Sequence, residues 1–137
     1  MATRRYLFLY LITLAVFFLI DMAWLGIVAK DFYRRHIGWM LDPKVKWPAA
    51  VVFYLLFIAG LLVFAVRPGI EAETPVKALA LGALLGLVCY AAYDLTNQAL
   101  VKGWPLVVTV VDLVWGTVLG GAVSFISAWL GRTLFKL

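Results

Sequence analysis

Charged residues are scarce in this sequence. The 12 Lys and Arg and the 7 Asp and Glu make up 14% of the chain, whereas 66% of its residues are hydrophobic. Soluble domains are about a quarter charged and about half apolar, so this composition cannot cover a water-exposed surface. A soluble globular fold is therefore excluded, and the length of 137 residues is better counted in bilayer crossings of roughly 20 residues each.

Cysteine and histidine each occur once, as Cys89 and His36. A single cysteine excludes an intramolecular disulfide and any metal site that needs several thiolates. His36 has no cysteine near it and no second histidine, so the usual ligand set of a structural metal is missing. We predict no metal and no other cofactor, and we interpret Cys89 as a small packing residue of an apolar helix.

The net charge of +5 does not indicate a nucleic-acid partner. The lysines and arginines lie in the predicted connections and near the two ends of the chain, where the basic residues of membrane proteins meet lipid headgroups. We therefore expect membrane lipids as partners and no nucleic acid.

Four long apolar segments fill most of the sequence. Arg67-Pro68-Gly69 is a typical helix stop, and Thr74-Pro75 is a typical helix start, with a cap residue followed by a first-turn proline. The predicted spans are about 6–29, 47–66, 75–101 and 105–130, with an interfacial connection at 30–46. The expected fold is one all-α domain, an integral membrane four-helix bundle.

Three aspartates interrupt these apolar segments. Asp21 lies late in the first span, Asp94 late in the third and Asp112 early in the fourth. A carboxylate at bilayer depth costs roughly 2.5 to 3.5 kcal/mol on insertion scales, so exposure to lipid is disfavoured. Because the first and third spans run parallel and the fourth runs antiparallel to them, the three carboxylates are predicted to converge near one membrane face.

Each aspartate has aromatic or amide companions at helical spacing, since residues three or four apart share a helix face. The predicted ligand-binding residues are these companions and the aspartates themselves: Asp21, Trp24, Tyr90, Tyr93, Asp94, Asn97, Asp112 and Trp115. No catalytic residue is indicated. The remaining tryptophans, Trp39, Trp47, Trp104 and Trp129, are predicted to form a belt at the span ends.

Small residues form stripes on the third and fourth spans, at Ala78, Gly82 and Gly86 and at Gly116, Gly120 and Ser124. Such stripes let two helix backbones approach closely. We predict that the first, third and fourth spans meet around a polar site and that the second span packs outside them.

Three stretches of the sequence resemble the DUF2177 family: 19–26 around Asp21, the run Tyr93-Asp94-Leu95-Thr96-Asn97, and 104–116 around Asp112. This is a bacterial family of predicted four-span membrane proteins of unknown function, and the resemblance covers essentially the whole chain. It implies a bacterial inner-membrane location but supplies no reaction or ligand. The positive-inside rule does not decide the orientation because basic residues divide evenly between the two sides. The early Arg4-Arg5 pair favours a cytoplasmic N-terminus.

The first functional hypothesis is a pocket that binds a lipid-like or amphipathic small molecule. Asp94 and Asn97 would fix its polar end, Asp21 and Asp112 would share a proton, and the aromatic residues would line the sides. Whether a reaction follows binding stays open.

Two alternatives remain. The first is a proton- or cation-coupled transporter that works as a homo-oligomer such as a dimer, and the second is an accessory subunit of a larger membrane complex. In a purely structural role, Asp94 and Asn97 would hydrogen-bond the indole N–H groups of Trp24 or Trp115 and fix the helix register.

Overall fold

The computed structural model describes residues 2–136, and long helices dominate it. Four segments are long and apolar enough to cross a membrane, and we number them as the first to fourth spans: Thr3–Val28, Trp47–Glu71, Pro75–Leu100 and Leu106–Thr133. The first contains α1 (Ala2–Ala23) and a π-helical turn (Trp24–Val28), and the second contains α3 (Trp47–Leu61), a π-helical turn (Leu62–Val66) and α4 (Arg67–Glu71). The third span is α5 (Pro75–Leu100), the fourth lies in α6 (Leu106–Thr133), and the connection holds α2 (Phe32–Ile37) and a 3₁₀ turn (Gly38–Met40). The prediction of an all-α membrane bundle is confirmed.

The second span extends beyond its predicted end at residue 66. Its helix continues through Pro68 to Glu71, although a proline lacks an N–H and crowds the carbonyl four residues before it. The preceding turn is widened, because the Arg67 N–H bonds the carbonyl of Leu62 five residues back. This π-helical turn relieves the crowding that would otherwise end the helix at Arg67.

The third and fourth spans form a close pair. The start of the third is capped as predicted, because the Val76 N–H donates to Thr74 Oγ1 at 3.3 Å. Both small-residue stripes lie in their interface, and a Cβ built on Gly82 or Gly86 would overlap the backbone carbonyl of Gly120 or Gly116. The backbones themselves are therefore in contact along this interface.

The central core joins the first, second and fourth spans. Phe17, Ile58, Leu61, Leu119 and Val123 are all fully buried in one cluster. The prediction that the second span packs outside is wrong, since Ile58 and Leu61 lie at the centre of that cluster. Phe17 meets Phe57 edge to face, with ring centroids 5.7 Å apart.

The outward faces of the spans are apolar. Ile27 is 79% exposed and Leu100 is 80% exposed, and many other leucines, valines and phenylalanines also face outward. Such a continuous apolar exterior is unstable in water and suits contact with acyl chains. The protein is therefore a multi-pass membrane protein.

Candidate functional site

The three aspartates within the spans are all buried. The exposed fraction is 4% for Asp21, 0% for Asp94 and 6% for Asp112. Each comes from a different helix, and all three lie toward the end of the bundle where the connection 30–46 crosses. Burial of three carboxyls together is costly unless partners or a counter-charge compensate them.

Asp112 is bound by a tyrosine from the connection. The Tyr33 hydroxyl donates to Asp112 Oδ1 at 2.6 Å, and the Trp24 indole N–H donates to the Tyr33 hydroxyl at 3.2 Å. Burial and the hydrogen bond to Asp112 raise the pKa of the Tyr33 phenol above its usual value, so this group stays a protonated donor. The chain of bonds links the first span, the connection and the fourth span.

The helix that carries Tyr33 is held in place by apolar contacts. Ile37, one turn after Tyr33 on α2, is buried against Trp104 and Val108 at the turn between the third and fourth spans. Because α2 lies across these span ends, Tyr33 reaches inward to Asp112 and does not point into solvent.

Asp21 lies beside two polar groups. Its neighbours are the indole nitrogen of Trp115 and the hydroxyl of Tyr54. Trp115 also stacks on Trp24, with ring centroids 4.4 Å apart and planes 9° apart. The two Asp-x-x-Trp segments of the sequence therefore meet through their tryptophans.

Asp94 lies behind Asp112, deeper in the protein. Its carboxyl is within hydrogen-bonding reach of the Asp112 carboxyl, yet neither Asp94 oxygen has a hydrogen-bond donor among residues 2–136. Two ionised carboxylates are both acceptors, so a hydrogen bond between them requires a proton on one.

A polar network next to Asp94 fixes the turn between the third and fourth spans. The Thr109 hydroxyl donates to Gln98 Oε1 at 2.8 Å and accepts from the Trp104 indole N–H at 3.0 Å. Gln98 donates in turn to the Trp104 carbonyl at 3.2 Å. Trp104 is only 5% exposed, so its predicted place in the interfacial belt is wrong; it closes this turn instead.

A cavity of about 720 Å³ lies in front of Asp21 and Asp112. It receives side chains from all four spans and from the connection. Seven of its fourteen lining residues are aromatic, two are acidic, four are aliphatic, and the last is Cys89. The lining residues are Asp21, Trp24, Leu25, Tyr33, Ile37, Leu41, Ala50, Phe53, Tyr54, Cys89, Tyr90, Tyr93, Asp112 and Trp115.

The cavity results from divergence of the second and third spans. Their backbones are close along Leu62–Glu71 but hardly approach each other along α3. Phe53 and Tyr93, on the facing sides of this gap, are both about half exposed. The cavity therefore opens sideways between these spans, toward the region that lipid would occupy.

One family model matches this architecture. The model described as "Predicted membrane protein (DUF2177)" matches residues 6–129. The chain belongs to the DUF2177 family. No curated protein and no solved structure matches it, so the site of this DUF2177 protein has to be interpreted from its own geometry.

The structure brings six of the eight predicted site residues of the DUF2177 chain to the cavity. Asp94 and Asn97 are the other two, and they do not line it. Asn97 lies beside the Tyr93 hydroxyl. The bond from Asp94 to a tryptophan indole that the purely structural alternative requires is not formed, because the Trp24 N–H donates to Tyr33 and the Trp115 nitrogen lies beside Asp21.

Sequence reasoning missed several lining residues of the DUF2177 site. Phe53 and Tyr54 are not predicted because a second span packed outside would not line the site, although Tyr54 is a polar side chain in an otherwise apolar span. Tyr33 belongs to the connection 30–46 that the sequence predicts to be interfacial, and no periodicity there indicates that it turns inward. Cys89 was interpreted as packing, and it lines the cavity one position before Tyr90.

The DUF2177 site does not have the composition of a metal centre. Within residues 2–136, no three His, Cys, Asp or Glu side chains converge in the way that metal ligands do. What the arrangement offers is an apolar, aromatic volume with carboxyl groups at its polar end.

Proposed function

We propose that this DUF2177 protein binds an amphipathic, lipid-like small molecule in the cavity between its spans. The single observation that carries the proposal is the cavity itself, about 720 Å³ in volume and open between the second and third spans. Binding sites for small molecules are typically concave and mostly apolar, with a few converging polar groups and volumes of about 300–1,000 Å³.

The two ends of the cavity suit the two parts of an amphiphile. Asp21 and Asp112, with Tyr33 and Tyr54 beside them, form a polar end. Phe53 and Tyr93 flank the sideways opening, through which an apolar tail would extend toward acyl chains. A lateral gap between two apolar helices suits entry of a ligand from the lipid phase.

The predicted site residues then have separate roles. Asp21 and Asp112 bind the polar end of the ligand, and Trp24, Tyr90, Tyr93 and Trp115 form the walls. Asp94 and Asn97 support this layer from behind: Asp94 through the Asp112 carboxyl, and Asn97 through the Tyr93 hydroxyl.

The test is to fill the cavity by one substitution on the second span. Ala50 lines the cavity, so Ala50→Phe places a ring inside it. Ala49 is its exposed neighbour on the same helix and does not line the cavity, so Ala49→Phe is the matched control. Each protein is purified in mild detergent, and bound molecules are extracted and identified by mass spectrometry.

We expect an amphiphile at near-stoichiometric amounts in the natural protein and in Ala49→Phe, and at least a tenfold loss in Ala50→Phe. Equal amounts in all three proteins would contradict the proposal, because the molecule would then lie on the outer surface. Absence of any bound molecule from the natural protein, together with no uptake of added total lipid extract, would contradict it as well.

The contact between Asp94 and Asp112 favours a second candidate, a proton- or cation-coupled transporter. Paired carboxyls that exchange a proton are a common element of such proteins. In reconstituted vesicles with an imposed pH gradient, Asp94→Asn would abolish coupled flux in a transporter. Because Asp94 does not line the cavity, the same variant would retain its amphiphile if binding rests mainly on the aromatic walls.

The location that fits this proposal is the inner membrane of a bacterium, with Arg4 and Arg5 on the cytoplasmic side. Four spans place Arg4 and Lys136 on the same side and Lys44 on the other. Reporter fusions after Lys44 and Lys136 should therefore give opposite signals, with the fluorescent cytoplasmic reporter active after Lys136. Activity after Lys44 instead would reverse the orientation.

A further inference from the structure

We propose that the ligand carries a cationic head, an amine or a quaternary ammonium, which binds between Asp21 and Asp112. This inference rests on the proposed function and names the chemical class of the ligand of that same cavity. Neutral and anionic amphiphiles are the alternatives that it excludes.

The charges around the cavity are of one sign. Asp21 and Asp112 line it, and no lysine, arginine or histidine does. Within residues 2–136, the only ion pair joins Arg67 to Glu71 at the opposite end of the bundle. The buried carboxyls therefore lack a cationic partner from the protein, and burial of uncompensated carboxylates is strongly unfavourable. A ligand cation would supply this missing charge.

Two hydrogen-bond donors at the polar end are already engaged with protein acceptors. The Trp24 N–H donates to Tyr33, and the Tyr33 hydroxyl donates to Asp112. An anionic head such as a phosphate needs several donors, and these two point to protein acceptors. The carboxyls of Asp21 and Asp112 line the cavity and, when ionised, offer only acceptor oxygens, which suit a cationic head.

The walls favour a cation for a separate reason. Half of the lining residues are aromatic, and the negative faces of aromatic rings attract ammonium groups. Rings combined with a carboxylate are the usual surroundings of bound quaternary ammonium ions. The basic residues of the same connection, Lys30, Arg34 and Arg35, are exposed and lie outside the cavity.

Cys89 allows a direct test because it is the only cysteine of the chain and lines the cavity. Three methanethiosulfonates are compared on purified protein from which bound amphiphile has been removed: the neutral methyl reagent, the cationic trimethylammonium-ethyl reagent and the anionic sulfonatoethyl reagent. Each rate is divided by the rate of the same reagent with a free model thiol. Cys89→Ala gives the background.

We expect the cationic reagent to react at least about tenfold faster than the anionic one, as two carboxyls within one reagent length would produce. Asp21→Asn should reduce this ratio several-fold. The matched control is Asp31→Asn, which removes an aspartate that is exposed in the connection and should leave the ratio unchanged. Equal rates for the two charged reagents, or an equal effect of both variants, would overturn the proposal.

Protection of Cys89 then tests the amphiphile itself. Dodecyltrimethylammonium should slow the reaction with the neutral reagent, whereas dodecyl phosphate, dodecyl maltoside and potassium chloride should not. Protection by dodecyl phosphate or dodecyl maltoside at equal concentration would overturn the cationic head but leave the proposed function intact. Protection by potassium chloride alone would indicate an inorganic cation and would overturn the inference.

The neutral reagent distinguishes failure of the charge selection from failure of the proposed function. If it reacts with Cys89 in the natural protein and not in Ala50→Phe, the cavity is accessible and only the charge selection is under test. If Cys89 stays inert to the neutral reagent in folded protein from which bound amphiphile has been removed, but reacts after denaturation, the cavity is closed and the proposed function itself fails.

Discussion

Two cavities, one toward each end of this bundle, are lined by charged residues of opposite sign. At one end, Asp21 and Asp112 are buried in a cavity of about 720 Å³ that no basic side chain lines. At the other end, a second cavity of about 560 Å³ is lined by Arg4, Arg5, Arg67 and Lys136, with Glu71 as its acidic residue. The sign of the lining charge is therefore a local property of each cavity, which the net charge of +5 conceals.

The ends also differ in how they accommodate charge. At the basic end, the Arg67–Glu71 pair is largely exposed, and the Arg67 guanidinium lies 5.4 Å from the centroid of the Tyr6 ring. At the acidic end, the carboxyls are withdrawn from solvent. Exposed charges need no partner because solvent screens them, whereas buried charges do. The buried carboxyls of the acidic end therefore favour a bound partner more strongly than the exposed charges of the basic end do.

Helix packing accounts for the shape of each end. The second and third spans are close along Leu62–Glu71 and diverge along α3. The third and fourth spans stay in contact between the ends through their glycines. One rigid helix pair therefore supports both ends, and the position of the second span decides which end opens sideways.

The largest expected effect comes from breaking this shared pair. In Gly86→Ala, the new Cβ would overlap the Gly116 carbonyl, which is backbone and cannot rotate away. We expect a loss of about 3 kcal/mol or more, at or above the usual upper range for overpacked cores, and failure of both ends together. Thermal unfolding in detergent, followed by circular dichroism, measures it.

Gly26→Ala is the control for this change. A Cβ on Gly26 meets nothing within 4 Å, so its midpoint of unfolding should stay close to that of the natural protein. Equal destabilisation by both substitutions would show that helix conformation, and not the close approach at Gly86, sets the stability.

An intermediate effect is expected from Tyr33→Phe, which acts on the acidic end alone. The substitution removes the hydroxyl that bonds both Asp112 and Trp24, and it leaves a buried carboxyl without its donor. The expected cost is about 1–3 kcal/mol, measured as a lower unfolding temperature. Tyr6→Phe, at the basic end, keeps the ring beneath Arg67 and should leave the unfolding temperature unchanged; an equal fall in both variants would contradict the asymmetry.

The smallest effect concerns reactivity and not stability. In a Cys89→Ala background, Leu134→Cys moves the single thiol to an exposed position beside the basic end. We expect the charge preference to reverse there, with the sulfonatoethyl reagent a few-fold faster than the trimethylammonium-ethyl reagent. A cationic preference at both positions would show that the charge of the reagent, and not the local surroundings, controls the rate.

The sequence predicts the helical frame and the level of the aspartates well. Because span direction alternates, helix direction and residue number predict that Asp21 and Asp112 lie at the same level of the bundle. Both line the same cavity in the structure. The stripe of Gly82 and Gly86 predicts the close pair, since few other residues permit backbone contact. Thr74 predicts the start of the third span because its side-chain oxygen caps the first turn.

The features that the sequence does not predict depend on tertiary packing, which leaves no repeat in the sequence. Tyr33 reaches Asp112 only because Ile37 fixes α2 across the span ends, and no repeat in the connection indicates that path. The second span has no aspartate, so its sequence does not indicate which helix face turns inward. The burial of Ile58 and the position of Tyr54 in the cavity are therefore known only from the structure. Pro68 does not end the helix because the preceding turn is π-helical and therefore wider.

The anchoring of α2 has a consequence for the covalent continuity of the chain. Tyr33 and Ile37 hold the segment after the first span to the rest of the protein by buried contacts, while Asp42 and Pro43 are exposed. We therefore expect the peptide bond between Asp42 and Pro43 to be dispensable as a tether. Two separately expressed fragments, divided at that bond, should copurify from the membrane as one bundle by complementation.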